Sequence, residues 1–318
     1  MQAETEAAQQ ARRRRGLLIA VVGSASVATS FVTAKYAMQA LDPLTFVFLW
    51  FTCAWSCASL FMLARRVGLV QPLRGYWKPL LGIGLLHCAS VVSGFTGLKM
   101  LDPTVTSFLS RSEVLFAALL GLIVLRERPG RDAWLGMGLA VAGIVILSYA
   151  TGAGERLGVV LCLVSAVTAA LGYMVGKYVA GLSSPAVTVW CRSAVIAATV
   201  LPVAMVTGSF HVVPSWSHLV VLAAGAAVGP FGAQLLFFHS LRYISLSEVG
   251  VVRTTSPLFV AIYAPLFLGM FPTLRQFVGG AIVILGLLVL AWARPVGEQA
   301  LARSVALMST DPTGPGGE

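Results

Sequence analysis

Between Thr104 and Leu125 the chain reads TVTSFLSRSEVLFAALLGLIVL, an apolar run that carries Arg111 and Glu113 near its middle. At about 1.5 Å rise per residue, roughly 20 residues cross a ~30 Å hydrocarbon layer, so the run is the length of a membrane span. Its charges constrain everything around it. On an insertion scale a central Arg or acid costs about 2.5–3.5 kcal/mol, whereas each Leu, Ile, Phe or Val returns only about 0.3–0.6. The twelve such residues in the run return roughly 5 kcal/mol against a cost of about 5–7 for the two charges. Alone, the segment barely inserts. In a continuous helix, residues two apart lie about 200° apart, so Arg111 and Glu113 are expected on nearly opposite sides, each needing its own partner or a hydrated cavity. This helix therefore belongs inside a bundle, as the inner wall of a polar pathway.

Composition extends that reading to the whole chain. Of 318 residues 58% are hydrophobic and 11% charged, with a mean hydropathy of +0.87; a soluble domain carries about 25% charged residues. The expectation is an all-α, polytopic membrane protein. Cys53, Cys57, Cys88, Cys162 and Cys191 all sit in apolar segments and are odd in number, which argues against a disulfide framework and for packing. The net charge of +10 resides largely in short loops, so it reads as membrane orientation and not as nucleic-acid binding.

Ten spans are expected: 17–40, 43–64, 79–100, 104–125, 132–151, 157–181, 185–207, 217–241, 246–270 and 273–293, joined by short turns such as Asp42-Pro43, Asp102-Pro103 and Ser184-Pro185. A basic flank, Arg12–Arg15, precedes the first. The rival reading, a signal peptide, is disfavoured because the apolar run continues from Leu17 to Ala40. A cytoplasmic N-terminus puts 15 Lys and Arg inside, among them Arg65, Arg66, Arg126, Arg128, Arg131 and Arg242, and leaves Lys99, Arg156 and Arg275 outside. Both termini are then cytoplasmic. Residues 1–16 form the N-terminal flank, and 294–318, with Gly314-Pro315-Gly316-Gly317, read as a disordered tail. Arg outnumbers Lys 18 to 4, which fits a GC-rich coding sequence and a bacterial inner membrane.

The chain also repeats itself. GLLIAVV from Gly16 matches GVVLCLV from Gly158 at an offset of 142, which also pairs Lys35-Tyr36 with Lys177-Tyr178 and Pro43 with Pro185. An offset of 143 pairs Phe95 with Phe238, Leu115-Phe116 with Leu258-Phe259, Pro129 with Pro272, Gly136 with Gly279 and Gly143 with Gly286. Five spans per copy is an odd number, so the copies, 17–151 and 157–293, enter the membrane in opposite senses. Such inverted repeats let a central site face alternate sides.

The turn Arg126-Glu127-Arg128-Pro129, the spacing of Gly136 and Gly143, and the run Ser256-Pro257-Leu258-Phe259 resemble the EamA branch of the drug/metabolite transporter superfamily, over about residues 16–293. The pattern is departed from at Val114, where the second copy has Pro257, and at Trp50, where the second copy has Arg192. The resemblance implies transport of small metabolites, amino acids or drugs, commonly outward.

Charges at mid-depth are the first site candidates. Arg111, Glu113, Arg192 and Arg253 sum to +2, and surplus guanidinium favours a carboxylate or phosphate on the solute. In one reading Glu113 and an arginine bind the solute or a proton; in the other, Glu113 and Arg192 or Arg253 form a structural pair. His87 heads a stripe with Ser90, Gly94 and Gly97 that suits either a pathway or close helix packing. Gln234 beside the Gly229-Pro230 break, and Ser112 and Thr255 with Ser110, Thr254 and Ser256, complete the polar set. Lys35 and Lys177 end spans one and six, as paired gates or as residues satisfying helix ends. Glu248 is expected to be solvated.

No metal or cofactor motif is present. Nor is there a His-Glu-x-x-His, Gly-x-Ser-x-Gly or Gly-x-x-x-x-Gly-Lys-Ser/Thr pattern, which weighs against the alternatives of an intramembrane enzyme or an ATPase. A non-transporting scaffold or receptor is the other alternative. The partners expected are a small solute and the lipid bilayer, with proton coupling and oligomeric state open.

Overall fold

A computed structural model of the chain describes residues 2–68, 70–124, 130–180, 184–210, 215–240, 243–244 and 246–292. Among these, every regular element is helical: α1 (Gln2–Ala37), α2 (Pro43–Arg65), α3 (Val70–Met100), α4 (Pro103–Ser110), α5 (Glu113–Val124), α6 (Arg131–Tyr149), α7 (Arg156–Ala180), α8 (Pro185–Val206), α9 (Trp216–Ala226), a π-helical turn (Ala227–Ala233), α10 (Gln234–Ser240), α11 (Leu246–Arg253), α12 (Ser256–Leu268) and α13 (Leu274–Trp292). Nine helical spans among the described residues are long and apolar enough to cross a membrane. The tenth expected span is present as α4 and α5 with a break between them. The chain is an integral membrane protein. The Arg126–Pro129 turn and the tail lie outside the described residues, as do the side chains of Lys177 and Glu248.

The helix starts follow from the turn chemistry. Pro43, Pro103 and Pro185 each open a helix behind Asp42, Asp102 and Ser184, where proline's missing N–H costs nothing. The Asp102 carboxylate accepts from the Thr104 backbone N–H at 2.7 Å and the Ser184 hydroxyl from Val187 N–H at 3.4 Å, each satisfying an orphan donor. Outward-facing apolar side chains are numerous, with Leu63 78% and Val206 89% exposed; lipid supplies the environment that water cannot. Trp77, Trp134, Trp216 and Trp292 are exposed near helix ends, where amphipathic rings suit the headgroup level.

Inside, the helices pack in a reciprocal pattern. The main neighbours are α6 with α13, α3 with α7, and α2 with α8, while α1 lies along α9, the π-helical turn and α10. Glycine sets the closest approach. A Cβ built on Gly136 falls 2.6 Å from Leu290 N and 2.8 Å from Gly286 O; one on Gly143 falls 2.8 Å from Gly279 O. The matching position on Gly279 lies 2.9 Å from Leu147 N. No side chain fits at this crossing, so α6 and α13 touch backbone to backbone, the contact small residues permit in membranes.

One expectation is corrected here. The 104–125 segment is not a continuous helix: Arg111 N–H donates to Phe108 O at 3.1 Å and Ser112 N–H to Leu109 O at 3.0 Å, tightening the ladder to three-residue steps. The 200° separation of Arg111 and Glu113 no longer holds, and they pair, Arg111 Nη1 to Glu113 Oε1 at 3.1 Å. Two unpaired ions in this interior cost several kcal/mol each, far more than a few distorted backbone bonds. The ninth span breaks in the same register: Thr254 N–H donates to Val251 O at 3.2 Å and Thr255 N–H to Val252 O at 3.1 Å.

Candidate functional site

The breaks at Arg111-Ser112 and Thr254-Thr255 and the π-helical turn gather around one cavity of about 200 Å³. Its walls come from α1, α2, α3, α7 and α8 as well. Of the residues singled out in the sequence, Arg111, Glu113, Arg192, Arg253, His87 and Gln234 line it, with Ser110. Ser112 and Thr255 do not. Ser112 is fully buried behind the break, and the Thr255 hydroxyl donates to Val252 O at 2.7 Å within its own helix. Thr254 does the same to Val251 O at 2.6 Å, the local back-bonding expected of such residues in apolar surroundings.

The cationic groups are held in two ways. Arg111 is matched by Glu113, with side chains 6% and 12% exposed. Arg192 donates from Nη2 to the Pro230 carbonyl at 3.4 Å and lies over the Phe51 ring at 6.0 Å. Arg253 lies 4.7 Å over Phe237 and 5.8 Å over Tyr173, and Nη2 donates to the Tyr173 hydroxyl at 3.5 Å. These partners are neutral. The Nε atoms of Arg111 and Arg192 are buried with no hydrogen-bond partner among the described residues. An anion entering the cavity meets Arg192 and Arg253, neither of which is ion-paired among the described residues.

His87 is fixed by its Nδ1, 3.0 Å from Ile83 O, and by an edge contact with Tyr173 at 5.4 Å between centroids. That bond makes Nδ1 the protonated nitrogen and leaves Nε2 an acceptor, without a partner among the described residues. The rest of its stripe packs against α7. Ser90 Oγ donates to Ser165 O at 2.9 Å, and Cβ atoms built on Gly94 and Gly97 fall 2.6 Å from Ser165 Oγ and from Cys162 Sγ. So the stripe is the α3–α7 contact, and His87, Ser90 and Gly94 border the cavity as well.

Pro230 and Gly229 line the cavity through the π-helical turn, so the expected break in the eighth span is a bulge that turns backbone toward the site. Lys35 lies apart from this. Its ammonium donates to Leu98 O, Lys99 O and Leu101 O at 2.8, 3.0 and 2.7 Å, satisfying the open carbonyls at the end of α3.

The lining residues not singled out as site candidates include the aromatic ones: Phe31, Phe51, Phe95, Tyr173 and, except as a family departure, Trp50. The repeat could have found Trp50 through Arg192, and it links two of the others to each other. The offset of 142 carries Phe31 onto Tyr173 and Trp50 onto Arg192, and the offset of 143 carries Ser110 onto Arg253. Both members of all three pairs line the cavity.

The family model of the EamA-like transporter family matches residues 14–149 and again 156–292. A protein described as an uncharacterized transporter of Archaeoglobus fulgidus is 21% identical over 215 residues, spanning 68% of this chain and 76% of that protein. A chain solved by crystallography matches with a TM-score of 0.65 at 20% identity, covering 89% of this chain and 99% of its own; at that identity it speaks for the fold alone. A double family match over nearly every described helix, around one polar cavity at broken helices, assigns this chain to the EamA-like transporter family, and it is a membrane transporter.

Proposed function

We propose that this protein is a secondary transporter that exports a small amino acid-like or organic-anion solute from a bacterial cytoplasm by alternating access, with two inverted five-helix copies, 17–151 and 157–293, as its working parts. The observation that carries the reading is the cavity itself, which repeat-related positions of the two copies line in pairs. Helix contacts support it. Exchanging the copies turns α3 on α7 into α9 and α10 on α1, and α1 on α12 into α7 on α5, while α2–α8 and α6–α13 map onto themselves. Discontinuous helices at matching positions are the arrangement through which such carriers present a site near the bilayer midplane. The basic flanks support cytoplasmic termini.

In this reading Arg192 and Arg253 bind the anionic group of the solute, His87 Nε2 and Gln234 add polar contacts, and the Arg111–Glu113 pair holds the break that shapes the wall. Glu113 is the acidic side chain among the described residues lining the cavity, so proton coupling runs through it.

Two measurements test the proposal. A thiol reagent that cannot cross the bilayer labels Gln10→Cys and Gly152→Cys, which are 142 residues apart, from opposite sides; labelling from one side ends the inverted arrangement. Purified protein in liposomes shows saturable, counterflow-stimulated flux of an organic anion that is reduced in Arg192→Gln. If flux in Glu113→Gln keeps its dependence on pH, Glu113 is structural and carries no proton.

A further inference from the structure

The cavity is paired in position but not in chemistry. In three of the repeat-related pairs the first-copy residue is neutral, Phe31, Trp50 or Ser110, and the second-copy residue carries a guanidinium or its hydroxyl partner, Arg192, Arg253 or Tyr173. The aromatic side is a packed cluster: Trp50 meets Phe46 at 4.9 Å and Phe95 at 6.2 Å, and Phe46 meets Phe95 at 5.0 Å, edge to face. Trp50 is locked in place. A Cβ built on Gly225 falls 2.6 Å from its Cη2, and one on Gly229 falls 3.6 Å from its Cζ2, so the ring lies directly on the backbone beside the π-helical turn.

We infer, resting on the transporter reading above, that the solute is an amphipathic organic anion: an apolar, aromatic-sized body against Trp50 and Phe95, a carboxylate or phosphate at Arg192 and Arg253, and no ammonium group. The last condition follows from the charges. The cavity's acid, Glu113, is held by Arg111, so the lining groups Arg111, Glu113, Arg192 and Arg253 sum to +2 (three positive, one negative). A zwitterion leaves that surplus untouched and adds a cation among guanidiniums that already occupy the faces of Phe51, Phe237 and Tyr173. A simple organic anion lowers the surplus by one and sets its apolar body against the lining atoms of Phe31, Trp50 and Phe95.

The test compares 3-phenylpropionate with L-phenylalanine, which has the same ring and carboxylate plus an ammonium, with propionate, which lacks the ring, and with 2-phenylethylphosphonate, which changes the head group. Binding to the purified full chain is measured by calorimetry. The wild-type protein is expected to hold 3-phenylpropionate at least about tenfold tighter than phenylalanine or propionate, a step of about 1.4 kcal/mol. 2-Phenylethylphosphonate binding tighter than 3-phenylpropionate assigns the head group to phosphate, weaker assigns it to carboxylate, and either keeps the inference. Arg192→Gln is expected to weaken 3-phenylpropionate at least about tenfold, and Trp50→Ala to bring it within about threefold of propionate. Phenylalanine binding as well as 3-phenylpropionate, propionate doing so, or none of the four binding overturns the inference. These comparisons are made on wild type, so a variant that fails to fold does not rescue it. Flux in liposomes separates the two claims. Selective binding of 3-phenylpropionate without any flux ends the transporter mechanism and leaves the selectivity, whereas saturable flux of phenylalanine in preference ends the selectivity and leaves the transporter.

Discussion

The Arg111–Glu113 pair permits a prediction whose magnitude can be worked through. At 3.1 Å and an effective dielectric constant near 20, the Coulombic attraction is about 5 kcal/mol. Glu113→Gln removes the charge but leaves an amide oxygen that can accept from Arg111, a hydrogen bond to a charged group worth about 1.5–3 kcal/mol. The net loss is about 3 kcal/mol, at the low end of the range for breaking one side of a buried pair. Arg111→Gln, leaving a carboxylate 12% exposed, costs a similar amount. Replacing both with apolar residues, Arg111→Met with Glu113→Leu, removes the ions together and restores stability to within about 1 kcal/mol of wild type. The assay is reversible unfolding in mixed micelles with a double-mutant cycle. Singles costing less than about 1 kcal/mol, or a double variant as unstable as the two singles added, near 6 kcal/mol, would refute the reasoning. The double variant also separates stability from transport: it folds, so any remaining loss of flux belongs to the site and not to the bundle.

Other expectations follow from the packing. Gly143→Ala and Gly286→Ala force α6 and α13 apart, because the added methyl meets Gly279 O or Gly136 O; each costs about 1–3 kcal/mol in the same assay, and an unchanged midpoint would show that the crossing is looser than described. Gly172→Ala pushes on the His87 ring, whose Cε1 and Nδ1 lie 2.7 Å from the new Cβ, so flux falls more than stability does, read by comparing transport rate with unfolding midpoint. Lys35→Met strips the α3 carboxyl end of three hydrogen bonds and, since the site is part-exposed, lowers stability by about 1 kcal/mol without altering solute selectivity in the binding panel.

How legible the molecule was in its sequence depends on the kind of interaction. Helix starts at Pro43, Pro103 and Pro185 are local, decided by proline geometry and the cap that precedes it, and so could be read directly. The same holds for the apolar spans, since insertion energies add residue by residue. The deep charges Arg111, Glu113, Arg192 and Arg253 stood out because each is expensive in hydrocarbon, and all four do line one cavity. Ser112 and Thr255 misled because a hydroxyl near a charge has a second option, its own backbone or a buried pocket, that spacing alone does not distinguish. Tyr173 and Phe31 were missed because an aromatic residue in an apolar span is unremarked until its neighbours are known.

By itself, the sequence determined the class of the protein, the membrane segments, the internal repeat and the identity of the groups too costly to leave unpartnered. Tertiary structure alone decided who partners whom: that the fourth span breaks so that Arg111 reaches Glu113, that Arg192 and Arg253 face neutral groups, and that aromatic and cationic walls share one cavity. The physical reason is that transfer energies belong to single residues, whereas pairing depends on distances a few ångströms long between helices far apart in the chain, which only the packed bundle sets.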